Sequence, residues 1–320
     1  MATAEQIKSL IKSHLQDDRE RFLTIALQLA ACEAHKGHIT LARDIRLIID
    51  KQKTTPLKVI SFQKDLSDFI HSSQPKSRLA DIILEPVLKG RIDKILKEYY
   101  QRQKLLKHGL NNRRKILLAG PPGTGKTMTA SVIAGELKLP FFNIQMDKIV
   151  TKFMGETSAK LRQVFDAIQD SEGVFLFDEF DAIGSERSRA DDVGEMRRVL
   201  NAFLQFIEND KSNSIIISAT NNMKLLDKAL FRRFDDVLYY DTPSSEEVIK
   251  LITNRLASFL GDLKVKEIVN ETTGLSHAEI VQACYDSVKE AILADQTTVS
   301  KKLLLNNLEN RKSAYNHKEK

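Results

Sequence analysis

Cysteine is nearly absent: the 320 residues hold two, Cys32 and Cys284. They stand far apart, each in a stretch patterned as helix, which excludes a disulfide framework and any cysteine-based metal spacing. Both are expected to be buried, inert thiols. No run approaches the roughly 18 uncharged apolar residues that a membrane helix needs. The opening MATAEQIKSL has neither the basic start nor the apolar stretch of a signal peptide. A cytoplasmic protein with no membrane partner is therefore expected. Protease signatures are missing as well, with no zinc-type HExxH and no nucleophile elbow. No internal repeat is visible, and the polar tail SAYNHKEK is the nearest thing to a low-complexity tract.

A strong excess of one charge is also lacking. Against 49 Lys and Arg stand 43 Asp and Glu, a net charge of +6. That balance leaves nucleic acid open as a partner, but the bases are mixed with acids, and a solvated surface accounts for them equally well. Hydrophobic residues at 42% and charged residues at 29% are ordinary for a globular chain. The length suits two or three folded units.

Residues 1–54 read as a small helical unit. Apolar residues recur at helical spacing in Ile7, Leu10, Ile11 and Leu15, in Phe22, Ile25, Ala26, Leu29 and Ala30, and in Leu41, Ile45, Ile48 and Ile49. Asp17 and Glu20 suit a reciprocal cap before the second run, and Gly37 separates it from the third. Residues 55–78, polar and holding Pro56 and Pro75, read as a linker with at most one short helix. From 79 to 243, strand-like runs at 116–119, 141–144, 174–177, 215–219 and 237–240 alternate with helical stretches. This alternation predicts an α/β domain, a parallel sheet covered by helices on both faces. Beyond Pro243 the strands stop, and 244–320 reads as a helical lid followed by a tail.

Directly after the first of these strands comes Gly120-Pro121-Pro122-Gly123-Thr124-Gly125-Lys126-Thr127, with Met128 opening helical sequence. This is the spacing of a phosphate-binding loop between strand and helix. Glycines are needed because backbone amides must curl around the phosphates without side chains in the way. Lys126 brings positive charge to the terminal phosphates and the Thr127 hydroxyl suits magnesium, so ATP and Mg²⁺ are the expected ligands. The strand at 174–177 runs into Asp178-Glu179. Asp178 is suited to the magnesium shell, and Glu179 to orienting and polarising the attacking water.

These residues resemble the AAA+ ATPases, in particular the clade that remodels proteins, over about two-thirds of the chain. GPPGTGKT and FLFDEFDAIG are close to that family's wording. The resemblance implies a P-loop fold of three layers with a helical lid, a homo-oligomer in the form of a hexameric ring, and ATP hydrolysis. It implies that Asn221, in SATNN, senses the γ-phosphate, and that Arg232 and Arg233, in LFRRFDDV, are offered to the neighbouring subunit. Arg233, just before Phe234-Asp235, is the first candidate for that finger. The insert that separates the two arginines in many relatives is missing. Asp81, Ile82 and Ile83 are implied on one side of the adenine. Gly274, His277 and Ala278 are implied on the other, with His277 where relatives carry glycine. Lys152, Phe153 and Met154 resemble a pore loop whose aromatic residue grips a polypeptide, and SERSRADDVGE resembles a second such loop. The implied function is a motor that unfolds or threads protein substrates, with a protease or another effector as partner. The alternative is a nucleic-acid-directed ATPase, a loader or helicase accessory, against which Phe153 and the absence of an arginine sensor in the lid both speak.

Overall fold

A computed structural model describes Lys8, Ser13 and residues 19–53, 68–149, 154–183, 190–222 and 231–316. By contacts the chain divides into units 1–59 and 60–320. In the first, α1 (Arg19–His35) and α2 (Ile39–Lys53) form a hairpin. Gly37, at φ +87°, makes the left-handed turn between them, which glycine adopts without steric penalty. Small residues Ala26, Ala30 and Ala42 are buried, and the Glu33 carboxylate pairs with the His38 ring at 2.7 Å. The first predicted helical run, Ile7 to Leu15, lies outside the described residues apart from Lys8 and Ser13.

The second unit is built on six strands: β1 (Ile70–Ser73), β2 (Lys115–Ala119), β3 (Phe141–Gln145), β4 (Val174–Asp178), β5 (Ile215–Thr220) and β6 (Asp236–Tyr239). Their order is β1-β3-β4-β5-β2-β6. Every pairing is parallel except β1 with β3. The predicted strands are all present, and the sheet is covered on both faces. On one face Leu117, Phe175, Phe177 and Ile216 pack under α7 (Met154–Asp170) and α8 (Ala190–Asn209), where Phe165, Phe177 and Phe203 bring their rings together. On the other face Ile116, Leu118, Val174, Leu176, Ile215 and Ile217 pack under α3 (Pro86–Tyr100) and α5 (Lys126–Leu137). Alternate residues of one strand thus enter two different cores, which is why these strands read as unbroken apolar runs. Short helices α4 (Arg102–Leu106) and α6 (Met146–Ile149) fill connections.

Strand β1 departs from expectation, since it lies in the segment read as a linker. Only Ile70 of its four residues is buried. Its side chains therefore carry no alternating pattern, and its place is fixed instead by pairing with 141–144 of β3. The lid holds α9 (Ser245–Leu256), α10 (His277–Leu293) and α11 (Lys301–Asn316) around a core of its own that includes Leu251, Ile252, Ile268, Ile280 and Leu304. Helices α9 and α10 each begin in a capping box, Ser244 with Glu247 and Ser276 with Glu279. Each such cap stabilises its helix start by about 1 kcal/mol. Cys284 is buried in the lid as expected, its thiol pushed up to about 12 by burial. Cys32 is only partly buried, so the expectation of two buried thiols holds for one. Among the described residues no helix is long and apolar enough to cross a membrane.

Two glycines separate local propensity from packing. A Cβ on Gly90, inside α3, would meet nothing within 4 Å, so Gly90→Ala should raise the unfolding free energy by about 0.5–1 kcal/mol. A Cβ on Gly120 would lie 2.2 Å from the Tyr240 carbonyl oxygen, so Gly120→Ala should lower it by about 1–3 kcal/mol. Urea titration of both variants checks the opposite signs.

Candidate active site

Strands β2, β4 and β5 run parallel, so Ala119, Asp178 and Thr220 end along one edge of the sheet. Ligands of open α/β sheets bind at that edge. The glycine-rich loop leaves β2 at Gly120, pressed against the backbone of Tyr240. Tyr240 in turn donates its hydroxyl to Thr129 Oγ1 at 2.7 Å on the first turns of α5, and burial raises its phenol above the ordinary range. Thr124 closes the loop by donating to the Pro121 carbonyl at 2.8 Å. Gly125 caps α5 with no side-chain bond. The first amides of that helix are therefore not claimed by a capping side chain, as an anion seat requires. Pro122 is exposed and Met128 half-buried at this helix start.

Lys126 is 7% exposed. Its ammonium donates to the carbonyls of Gly120 and Pro121, both at 2.7 Å. Burial pushes it below the ordinary lysine range, against the pull of Asp178 and Asp181. A triphosphate would offer this charge the anion that the loop itself does not. Thr127 donates to Asp178 Oδ2 at 2.8 Å. The neighbouring Glu179 is exposed, its backbone at φ +51°, and its amide donates to Asp178 Oδ1 at 2.9 Å. A left-handed non-glycine residue costs about 1–2 kcal/mol. The turn lets two consecutive acids serve different directions, one toward Thr127 and one outward.

Three further residues at this edge escaped the sequence reading. Asp181 accepts the Asn221 amide at 3.1 Å and so fixes the turn after β5. Its signal was present in DEFDAIG but indistinguishable from an ordinary acidic turn. Tyr240 supports the loop from below, and only the fold brings it there. Gln145 pairs in register with Asp178, and its Oε1 is buried without a hydrogen-bond partner. A buried side-chain carbonyl left unbonded is uncommon in a folded interior.

The lid meets the loop at one point. The Ala278 amide donates to the Gly123 carbonyl at 3.0 Å, which satisfies one of the unbonded donors at the start of α10. Gly123 has φ +74°, and a Cβ there would stand 2.5 Å from Ser276 Oγ and 3.2 Å from Ala278 Cβ. From the other side, Ile82 lies 3.6 Å from where a Gly125 Cβ would be, and Ile83 packs on the lid core. His277 has a side chain 14% exposed, with Nε2 at 4.0 Å from the Glu247 carboxylate and no hydrogen bond to either ring nitrogen. Burial alone would raise the Glu247 carboxyl, but the His277 ring and Ser244 outweigh it and hold it below the ordinary range.

Not every expected residue gathers here. Asp81 is exposed, and its carboxylate accepts the Arg78 amide at 2.7 Å, the role of a turn residue. Gly274, at φ +84°, faces open space. Arg232 and Arg233 precede β6, whose Asp236 pairs with Ile116 near the start of β2. They therefore sit at the opposite edge of the sheet, and the steps from Ile116 to Gly120 alone span about 13 Å. Lys152 and Phe153 lie outside the described residues, as do 185–189 of the second predicted loop, whose remainder opens α8, and Met154 begins α7.

For a metal, Thr127 offers a hydroxyl and Asp178 a carboxylate. Among the described residues no three His, Cys, Asp or Glu side chains cluster as a protein-only metal site. That donor set fits magnesium, which is held by one or two carboxylates together with substrate phosphates.

Residues 116–242 match the family described as "ATPase family associated with various cellular activities (AAA)". An "Uncharacterized AAA family ATPase y4kL" of Sinorhizobium fredii is 31% identical over 94% of this chain and 93% of that protein. An "ATP-dependent zinc metalloprotease FtsH" of Alkalihalophilus pseudofirmus is 30% identical over 76% of this chain, which spans 37% of that protein. A "Peroxisomal ATPase PEX6" of Kluyveromyces lactis is 30% identical over 83% of this chain, which spans 28% of it. With a relative matched along nearly its whole length, and a nucleotide loop built as that family requires, the chain belongs to the AAA family of ATPases.

Proposed function

We propose that this ATPase is a protein-remodelling motor whose active site is completed by a second copy of the chain in a hexameric ring, acting in the cytoplasm. The observation that carries the reading is the division of the sheet. Loop, Asp178 and Glu179 gather at the carboxyl edge, while Arg232 and Arg233 stand at the amino edge, beyond the reach of one side chain from their own nucleotide seat. Two exposed arginines at the edge remote from their own site are placed to serve a neighbour's.

In this reading the backbone amides of residues 123–127 bind the β- and γ-phosphates, and Lys126 turns its ammonium from the Gly120 and Pro121 carbonyls to them. Thr127 and Asp178 would hold magnesium, which would supply positive charge against the phosphates. Glu179, directed outward by its backbone, takes a proton from the attacking water, and Asn221, fixed by Asp181, orients that water. An arginine from the adjacent subunit meets the charge that develops on the transferred group, an effect worth about 10³–10⁵ in rate. Ile82, Ile83, His277 and Ala278 enclose the base. Because Ala278 and Ser276 rest on Gly123, a change in the loop reaches the lid directly. Lid movement is then passed to Phe153 and its neighbours, which grip a polypeptide. FtsH and PEX6 relatives, by their names a protease and a peroxisomal ATPase, suit a chain that works on proteins and serves a partner such as a protease.

Lys126→Ala should abolish binding of a fluorescent ATP analogue. Glu179→Gln should keep that binding and lose about 10²–10⁴ in kcat; normal turnover by this variant would remove the water-positioning role. Phe153→Ala should hydrolyse ATP at the wild-type rate yet fail to unfold a tagged substrate, which a fluorescence unfolding assay reads. Lys126→Ala subunits mixed with Arg232→Ala/Arg233→Ala subunits should regain activity through mixed sites, and no recovery despite confirmed co-assembly would argue against donation between subunits.

A further inference from the structure

The two adjacent arginines are held in different ways. Arg233 forms an ion pair with Glu208, contributed by the last turn of α8. Arg232 is exposed and, among the described residues, makes no hydrogen bond or ion pair. Glu208 is oddly placed by local rules, since a carboxylate near a helix C-terminus faces the negative end of the helix dipole. Arg233 supplies the cation that offsets this. Lys115 Nζ adds a donor to the Glu208 carbonyl at 3.4 Å.

The same corner is tied on every side. Phe234, next in sequence, is buried in the core beneath α7 and α8. The Asp235 carboxylate accepts the amides of Arg114 and Lys115, both at 2.9 Å, and its own amide donates to the Lys115 carbonyl at 2.8 Å. Arg114 reaches over to the buried Asp210, just past α8, and bonds its carboxylate and carbonyl. Glu208, Arg233, Asp235, Arg114 and Asp210 thus close a frame joining the end of α8 to the start of β2. Arg232 is the one member of the Arg232–Asp236 run whose side chain the frame leaves free among the described residues.

Resting on the reading that the site is completed by a second copy, we propose that the pair divides its labour. Arg232 is the guanidinium presented to the neighbour's triphosphate. Arg233 is a positioning residue, paired with Glu208, which with the rest of the frame holds the turn from which Arg232 projects. This reverses the preference drawn from the sequence, where nearness to Phe234-Asp235 favoured Arg233.

Single variants of the full chain separate the roles, with assembly state and thermal unfolding recorded alongside kcat and the nucleotide Kd. Arg232→Ala should lose about 10³-fold or more in kcat, with Kd for ATP unchanged, and Arg232→Lys should not restore it, because an ammonium lacks the planar fork. Arg233→Ala and Glu208→Gln should each lose about 10- to 100-fold in kcat, the range expected of misplacement rather than removal of a catalytic group. Their double variant should be no worse than either alone, since both remove one contact. Arg233→Lys, which can still pair with Glu208, should recover most of the activity. A full loss in Arg233→Ala with near-normal Arg232→Ala, or losses in Arg233→Ala and Glu208→Gln that multiply, would overturn the assignment. Intact hydrolysis in the Arg232→Ala/Arg233→Ala double variant would instead overturn donation by either arginine, and with it the reading on which this one rests.

Discussion

A lysine ammonium kept out of water is the constraint around which the nucleotide end of this molecule is arranged. Lys126 lies almost wholly buried, bonded only to the carbonyls of Gly120 and Pro121. Neutral acceptors stabilise such a charge less than an anion does. The surrounding residues keep that imbalance in place. Gly120 can pass beneath Tyr240 only because it lacks a side chain, Tyr240 pins Thr129 through a buried hydroxyl, and Thr127 and Asp178 are bonded to each other beside it. The loop is supported from below, around the two carbonyls that hold the ammonium. A phosphate taken up here would exchange those carbonyls for an anion, at a charge that solvent screens weakly.

The polarity of the sheet organises everything else. Parallel strands give the molecule two chemically distinct edges, one collecting strand ends and the other strand starts. Glycine loop, acids and polar turn collect at the first. Arginines and the ion-pair frame of Asp210, Arg114, Asp235 and Glu208 collect at the second. The lid adds a third element, touching the loop through Ala278 and Gly123 while its own apolar core remains separate. Ile83, from the segment before α3, packs on that core and gives the lid a second, apolar point of attachment.

How much of this could be read from the sequence depends on where each signal is carried. The phosphate loop was legible because its chemistry demands particular residues at consecutive positions, and Asp178-Glu179 because it follows an apolar strand. The five parallel strands were legible as apolar runs. Strand β1 was not, since Ile70 alone of its side chains is buried and its place is dictated by backbone pairing with β3. The pairing of Arg233 with Glu208 was equally hidden, because the partners lie on different elements and no local pattern links them. Asp81 shows the converse: its position invited a ligand role, while its carboxylate is engaged by the Arg78 amide. Propensity and spacing report what neighbours along the chain need, whereas positioning contacts are set by tertiary structure.

Strand β6 has a particular consequence in an assembly of the kind proposed. Its entry follows Arg232 and Arg233, and its exit is Tyr240, whose carbonyl abuts Gly120. Four residues of extended backbone thus form a short strut between what a subunit lends to its neighbour and what it keeps for itself. A strut so brief, paired in register with β2 over all four residues, has little length in which to stretch. Displacement of the lent end would arrive at the retained end as a shift of the strand, which in such an assembly would link one subunit's nucleotide loop to its neighbour's site.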